Sequence, residues 1–163
     1  MAERTLEDIA EEAVESGGVL ATLYFDVFSN SKENLQSILV DFIGRISQDT
    51  GVVYAVGEVL DVVEDDNGYS TSAEVKVVAK DFTSLAGIAI KFSPIGIEVI
   101  KPNKITLTAG EIQSILLNIA QTSYEFSQFA LRRLLSKDEL EKFEQKMKLR
   151  AELGKKLLEK KGE

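Results

Sequence analysis

Hydrophobic and polar residues alternate along the chain with two periods, and these periods predict the order of strands and helices. Residues 19–28 are mostly apolar at odd-numbered and at even-numbered positions alike, which indicates a central strand covered on both faces. The segments 29–47 and 81–92 have apolar residues at helical spacing, so each predicts a helix with one face on a core. An opening amphipathic helix is predicted to begin at Thr5, which can cap it together with Asp8. We therefore expect an α+β fold.

The clearest local signal is a hairpin centred on Asn67-Gly68, the residue pair that a two-residue type I′ turn requires. Folding the chain about this turn places Glu58 opposite Val77, on the face that packs against helices. A buried carboxylate is costly unless it is paired. Two alternatives follow: a bulge at Gly57 turns Glu58 outward, or Glu58 is buried with a partner and becomes the best single candidate for catalysis.

The chain has two prolines, Pro94 and Pro102, and they flank one short apolar segment. Pro102 suits a turn into the following residues ITLT, so the sequence predicts a second hairpin over residues 95–108 that adds an extra C-terminal strand to the sheet. A strand bounded by prolines is typical of a sheet edge. Because edge strands can pair with other chains, Ile97 and Val99 are predicted self-association residues.

Residues 111–135 predict a long helix that is apolar over most of its circumference. Its strongly polar residues form one narrow stripe, spaced by 4, 3, 4, 3 and 4 residues. A helix of this kind must be covered from more than one direction. Either its own domain wraps it or a second copy of the chain does, and the residues predicted to carry self-association are Ile115, Ile119, Phe126 and Phe129.

The pair Ser136 and Glu139 has capping-box spacing, which predicts that a separate, charged amphipathic helix follows. This helix either docks on its own domain or pairs with another chain as a short coiled coil. The predicted organisation is a single α+β domain over residues 1–135 and a helical extension over residues 136–163.

The core elements follow the order strand, helix, strand, strand, helix, strand. With right-handed crossovers, this order gives a four-stranded antiparallel sheet with both helices on one face. The core, residues 19–108, resembles the ferredoxin-like fold and is closest to the small ACT-type regulatory domains, with LYFDVF as its first strand and the Asn67-Gly68 hairpin in the middle. The resemblance implies a regulatory or amino-acid-binding module, but it is one of topology and carries over no functional residue.

Composition removes several kinds of chemistry. The chain contains no cysteine and no histidine, so it has no disulfide, no thiolate nucleophile and no histidine base or metal ligand. Carboxylates remain, and Asp26 and Glu58 are the catalytic candidates if they converge. The acidic turn containing Glu64, Asp65 and Asp66 is a weak candidate for a divalent cation, although it lacks the spacing of a calcium loop. We expect no cofactor.

The net charge of −8 lies in the body of the chain. From Lys137 onward there are nine Lys/Arg and seven Asp/Glu, a net +2, which leaves −10 for residues 1–136. An acidic body repels phosphate backbones, so the charge argues against nucleic acid as a partner. No apolar run approaches the length of a membrane span, and the acidic start is unlike a signal peptide, which predicts a cytoplasmic protein without a membrane partner.

These observations favour a non-enzymatic, self-associating module that acts as a scaffold or regulatory subunit. The alternative is a small-molecule-binding domain, or a carboxylate-based enzyme, that uses a cleft between sheet and helices. Nucleic-acid binding is the least favoured hypothesis.

Overall fold

The computed structural model describes residues 5–159, without the side chains of residues 6 and 154–159. This part of the chain forms five helices and five strands. In chain order the elements are α1 (Leu6–Glu15), β1 (Val19–Ser29), α2 (Leu35–Ser47), β2 (Val52–Val59), β3 (Val63–Asp65), β4 (Gly68–Ala79), α3 (Phe82–Phe92), β5 (Gly96–Lys101), α4 (Ala109–Leu134) and α5 (Lys137–Glu159).

The strands form one open antiparallel sheet in the order β2-β4-β1-β5, and the short strand β3 also pairs with β4. The predicted α+β class is confirmed. β1 is central, as the apolar residues at both of its parities predicted. β5 lies at an edge, as predicted for the strand between the two prolines.

The longest ladder joins β1 to β4 and determines which side chains enter the core. Val19 lies opposite Ala79 and Leu23 lies opposite Val75, and all four of these side chains are buried. Since side chains alternate along a strand, odd-numbered residues of both strands face one side of the sheet. That side carries the hydrophobic core.

Helices α2 and α3 cover the core side of the sheet. Leu39 and Ile46 of α2 and Ile88 of α3 are almost completely buried in the same cluster as the odd-numbered residues of β1 and β4. The ring of Phe42 makes edge-to-face contacts with Phe25 at 5.0 Å and with Phe92 at 5.5 Å, and thereby links the two helices to β1. We call the opposite side of the sheet the open face.

The predicted register of the central hairpin is wrong in two respects. Asp65 pairs with Gly68, so the turn is one residue earlier than Asn67-Gly68. The segment between β2 and β3 also has one residue more than the part of β4 that it faces. Val59 lies opposite Ala73 and Val63 lies opposite Ser70, so the three residues 60–62 face only Thr71 and Ser72. This irregularity reverses the faces of β2 relative to the predicted register.

As a result, Glu58 is opposite Glu74 and lies exposed on the open face. The extra residue that turns it outward is in the segment 60–62 and not at Gly57. Gly57 instead takes a core-facing position opposite Val75.

The predicted second hairpin is also wrong. The chain leaves the sheet after Lys101, and residues 102–108 form no strand. Ile105 packs against the core cluster instead of joining a ladder, so burial of this side chain decides the path of the segment. The edge strand β5 therefore has no partner on its outer side among the residues that the structure describes.

Helix α1 is directed back over the sheet by its C-terminal turn. Gly17 has a φ of 96°, and the amides of Gly17 and Gly18 donate to Val14 O at 3.0 Å and Ala13 O at 2.7 Å. This is the Schellman arrangement, which requires a left-handed residue and thus favours glycine. The N-terminus of α1 has the predicted capping box between Thr5 and Asp8.

The chain divides into two compact units, Met1–Asn118 and Ile119–Glu163. The division lies inside α4, whereas the sequence suggested a division after residue 135. The sheet and its core belong wholly to the first unit.

The long helices begin at capping residues. The amide and hydroxyl of Thr108 donate to Glu111 at 2.7 and 2.6 Å at the start of α4. The amide and hydroxyl of Ser136 donate to Glu139 at 3.0 and 2.6 Å, so the predicted capping pair that begins α5 is confirmed.

Substituting Gly57→Ala tests the observed register. A Cβ at this position would lie 2.6 Å from Cδ1 and 3.2 Å from Cγ2 of Ile43. We expect the free energy of unfolding in urea to fall by about 1–3 kcal/mol, the usual cost of overpacking. The control is Gly44→Ala in α2, where a Cβ meets nothing within 4 Å and helix propensity favours alanine. If Gly57→Ala is as stable as Gly44→Ala, Gly57 does not face α2.

The contact between Asp49 and Lys91 should make stability depend on acid pH. Lys91 Nζ donates to Asp49 at 2.7 Å and the Gly51 amide donates to it at 2.9 Å. These bonds hold the pKa of Asp49 below its ordinary value of 3.8. Because the pKa of this carboxyl is lower in the folded than in the unfolded protein, its ionised form stabilises the folded state at pH values above the unfolded-state pKa. This contribution is lost as the pH falls through the folded-state pKa.

We therefore expect Asp49→Asn to lower the melting temperature at pH 7 and to change it less below the ordinary pKa of 3.8, where the unfolded state binds a proton at this carboxyl and the stabilisation declines. The asparagine keeps an oxygen for the Gly51 amide, so the comparison isolates the charge. An equal difference at both pH values would contradict the assignment.

Candidate functional site

Asp26 and Glu58 share the open face but do not meet. Asp26 is on β1 and Glu58 is on β2, with β4 between them, so the two strands are about 10 Å apart. Asp26 accepts a hydrogen bond from Ser72 at 3.2 Å and lines a small cleft of about 220 Å³. Glu58 lines a different depression, of about 260 Å³. The two carboxylates therefore line separate depressions and do not form one site.

The acidic turn uses its carboxylates locally. Asp65 accepts from the amide of Asn67 at 2.7 Å, and Glu64 accepts from the hydroxyl of Tyr69 at 3.2 Å. The negative charge of Glu64 and this hydrogen bond raise the pKa of Tyr69. Asp66 is exposed in the turn. Within residues 5–159, no group of three or more acidic side chains is arranged to hold a metal ion.

The predicted self-association residues of β5 are exposed. Ile97 is opposite Leu23 and Val99 is opposite Ala21. Both side chains therefore lie on the side of the sheet that carries the hydrophobic core. Their exposed fractions are 48% and 42%. The edge of the sheet thus presents aliphatic side chains as well as unpaired backbone groups.

Three of the four predicted residues of α4 are more exposed still. No side chain of this helix is buried. Phe126 is 71% exposed, Phe129 56% and Ile119 49%, and Ile115 is half-buried. Apolar surface of this extent on one element commonly marks an interaction site.

A groove that the sequence did not predict lies between α1 and the open face. It has a volume of about 580 Å³. Its floor is made by alternate residues of the sheet, and Ala10 of α1, which is buried, faces it. We call this feature the α1 groove, and its lining residues from the sheet are Leu20, Tyr54, Val56, Lys76, Val78, Ile100 and Lys101.

The charges of the α1 groove are not all paired. Lys101 Nζ contacts Glu11 Oε1 at 3.3 Å, which ties α1 to the end of β5. Glu7 is a second carboxylate at the rim. Lys76 rises from the central strand β4 and has no hydrogen bond or ion pair to any residue in the described part of the chain. The groove thus combines an apolar floor with one unpaired ammonium group.

Tyr24 lies beside a neighbouring depression of about 360 Å³ on the sheet. Its hydroxyl donates to Glu98 at 3.2 Å. Desolvation, this hydrogen bond and the charge of Glu74 raise the pKa of Tyr24. The phenol is consequently a hydrogen-bond donor at neutral pH and is unsuited to act as a base.

Lys76 is the residue that sequence reasoning undervalued. Its alternation with Glu74 and Val78 places it on the open face, but the sequence gives no sign that Lys76 differs from any other lysine on a sheet surface. The missing information is the position of α1, which closes one side of the surface around Lys76. The amphipathic pattern of α1 was the available signal that this face would be covered.

No helix in the described part of the chain is both long enough and apolar enough to span a bilayer.

Residues 20–153 match the family described as the MJ0538 family, a span that runs from β1 into α5. No curated protein and no solved structure matches the chain.

Substituting Gly18→Ala should loosen α1 from the sheet. A Cβ would lie 2.7 Å from Ala13 O and 2.8 Å from Ala79 O, and neither backbone atom can move aside as a side-chain tip can. We expect amide hydrogen exchange in α1 to accelerate roughly tenfold or more, since overpacking costs about 1–3 kcal/mol. Amides of β4 should keep their protection.

The control for this measurement is Gly110→Ala in α4, where a Cβ meets nothing within 4 Å. Unchanged exchange in α1 of Gly18→Ala would show that the turn does not hold this helix in place.

Proposed function

We propose that this chain, which belongs to the MJ0538 family, is a self-associating module that acts as a scaffold or regulatory subunit. The description of the family names no activity, so the function is inferred from the surfaces of this chain. The observation that carries it is α4, which is apolar over most of its circumference and has no buried side chain.

We also propose that the core is of the ferredoxin-like type. The strand order β2-β4-β1-β5, with every neighbouring pair antiparallel and two helices on one face, supports this assignment. Folds of this type host unrelated functions, so the assignment selects none of them. The function has to be argued from exposed surfaces.

The exposed side chains of α4 include a stripe at coiled-coil spacing. Ile112, Ile115, Ile119, Phe126 and Phe129 are separated by 3, 4, 7 and 3 residues, which is the a/d pattern of a heptad repeat. A second helix packed along this stripe would cover all of them. A second copy of α4 supplies a stripe of the same length and spacing.

An antiparallel arrangement of the two copies fits the side chains and the charges. With the two-fold axis near Ala120 and Gln121, Ile115 meets Phe126 of the second copy, and Ile112 meets its Phe129, so that each a position faces a d position. Glu111 in the first turn then approaches the basic last turn of the second copy, where Arg132 and Arg133 lie. A parallel pair would place like charges and like helix ends together.

The expected strength of this pairing is modest. Complete burial of a large apolar side chain is worth about 1.5–3 kcal/mol, and these side chains are about half exposed, so the four predicted residues of both copies together contribute roughly 6–12 kcal/mol. Association costs about 4–15 kcal/mol in lost freedom. The proposal therefore implies an equilibrium that depends on protein concentration.

Substituting Phe126→Ala should prevent association, because this residue is the most exposed of the stripe. Light scattering from low to high micromolar concentration should show the wild-type mass rising to that of a dimer and the variant remaining monomeric. The matched control is Leu117→Ala, which removes a side chain 62% exposed on another side of α4. A wild-type protein that stays monomeric throughout would refute the proposal.

Cross-linking in the same experiment determines the orientation. The chain has no cysteine, so an introduced one is a unique reporter. In an antiparallel pair, Ile119→Cys forms a disulfide with Thr122→Cys, and Ile115→Cys forms one with Phe126→Cys, when the two variants are mixed. A disulfide between two Phe129→Cys chains would indicate a parallel pair instead.

A further inference from the structure

We propose that the α1 groove binds a small amphiphilic monocarboxylate, with its apolar body on the floor and its carboxylate on Lys76. This inference goes beyond self-association and does not depend on it, because no lining residue of the groove belongs to α4.

The floor of the groove suits an apolar body. Leu20 and Val78 are directly opposite each other on β1 and β4, and Val56 is opposite Lys76 on β2 and β4. With Tyr54 and Ile100 they form a continuous aliphatic and aromatic surface beneath α1. A volume of about 580 Å³ lies within the range of small-molecule sites, which is about 300–1,000 Å³.

The unpaired ammonium group determines the sign of the ligand charge. Lys76 is the cation of the groove without a partner in the described part of the chain, whereas Lys101 already contacts Glu11. A ligand carboxylate would complete an ion pair in a site screened from water on one side by α1. A neutral ligand leaves this ammonium group unpaired, and a cationic ligand is repelled by it.

The carboxylates at the rim limit how much negative charge the ligand can carry. Glu7 and Glu11 both line the groove, and Glu58 and Glu74 line the neighbouring depression that Lys76 also borders, so the one cation of the described lining without a partner balances a single negative charge at most. A phosphate dianion would bring a second charge that has no partner and that Glu7 repels. A monocarboxylate fits this arrangement better than a phosphate ester or a nucleotide.

The test compares three eight-carbon probes that differ in their head group: octanoate, octan-1-ol and octylammonium. Each is titrated into ¹⁵N-labelled protein at neutral pH, and amide shifts are followed. We expect saturable shifts confined to residues of the α1 groove with octanoate. Octan-1-ol should bind at least tenfold more weakly, and octylammonium should not bind at the groove.

The variant Lys76→Met keeps the aliphatic stem and removes the charge. It should lose the preference for octanoate over octan-1-ol while still binding octan-1-ol, and binding of the alcohol shows that the groove remains folded. Lys76→Arg should retain the preference. The matched control is Lys80→Met, which removes an exposed lysine outside the groove and should behave as the wild type.

Equal affinities for octanoate and octan-1-ol would overturn the proposal, as would an unchanged preference in Lys76→Met or octanoate shifts spread over the whole surface. Inorganic phosphate and octyl phosphate distinguish the charge class, because tighter binding of either would contradict the assignment of a monoanion. Failure of any of these tests leaves the light-scattering result for α4 unaffected.

Discussion

The antiparallel pairing of β1 with β4 is the constraint on which the rest of the structure depends. It joins residues 19–29 of one strand to residues 69–79 of the other. One parity of this ladder supplies buried residues such as Leu23 and Val75 to the core, and the other places Leu20 beside Val78 in the floor of the α1 groove. The core and the α1 groove lie on opposite faces of this one ladder. A shift of its register by one residue would therefore exchange the side chains that face the core with those that face the groove.

The sequence determines which side chains face the core much better for β4 than for β2. β4 alternates strictly over Ala73, Glu74, Val75, Lys76 and Val77, and its buried parity was predicted correctly. β2 has apolar residues at both parities, so its pattern cannot distinguish one face from the other. The decision is made by an extra residue between β2 and β3, and that depends on loop packing that periodicity does not encode.

Local signals were reliable where the physical cause is local. The capping pairs Thr5–Asp8 and Ser136–Glu139 form because a spacing of three residues brings the carboxylate back to the amide and hydroxyl of the capping residue, from which it accepts hydrogen bonds. The extra strand expected after Pro102 did not form, because burial of Ile105 against distant parts of the core competes with local strand preference. The α1 groove also escaped prediction, since it depends on where α1 crosses the sheet.

The partners proposed for the α4 stripe and for the α1 groove differ for a physical reason. None of the five side chains of the stripe is charged, so the stripe itself cannot distinguish partners by charge and must select them by length and spacing. A second copy of the same helix meets that requirement by symmetry. The groove is short and contains an unpaired ammonium group, so shape alone would select little there, whereas a single negative charge selects strongly. Extended apolar surface therefore favours a macromolecular partner, and an isolated cation over an apolar floor favours a small anion.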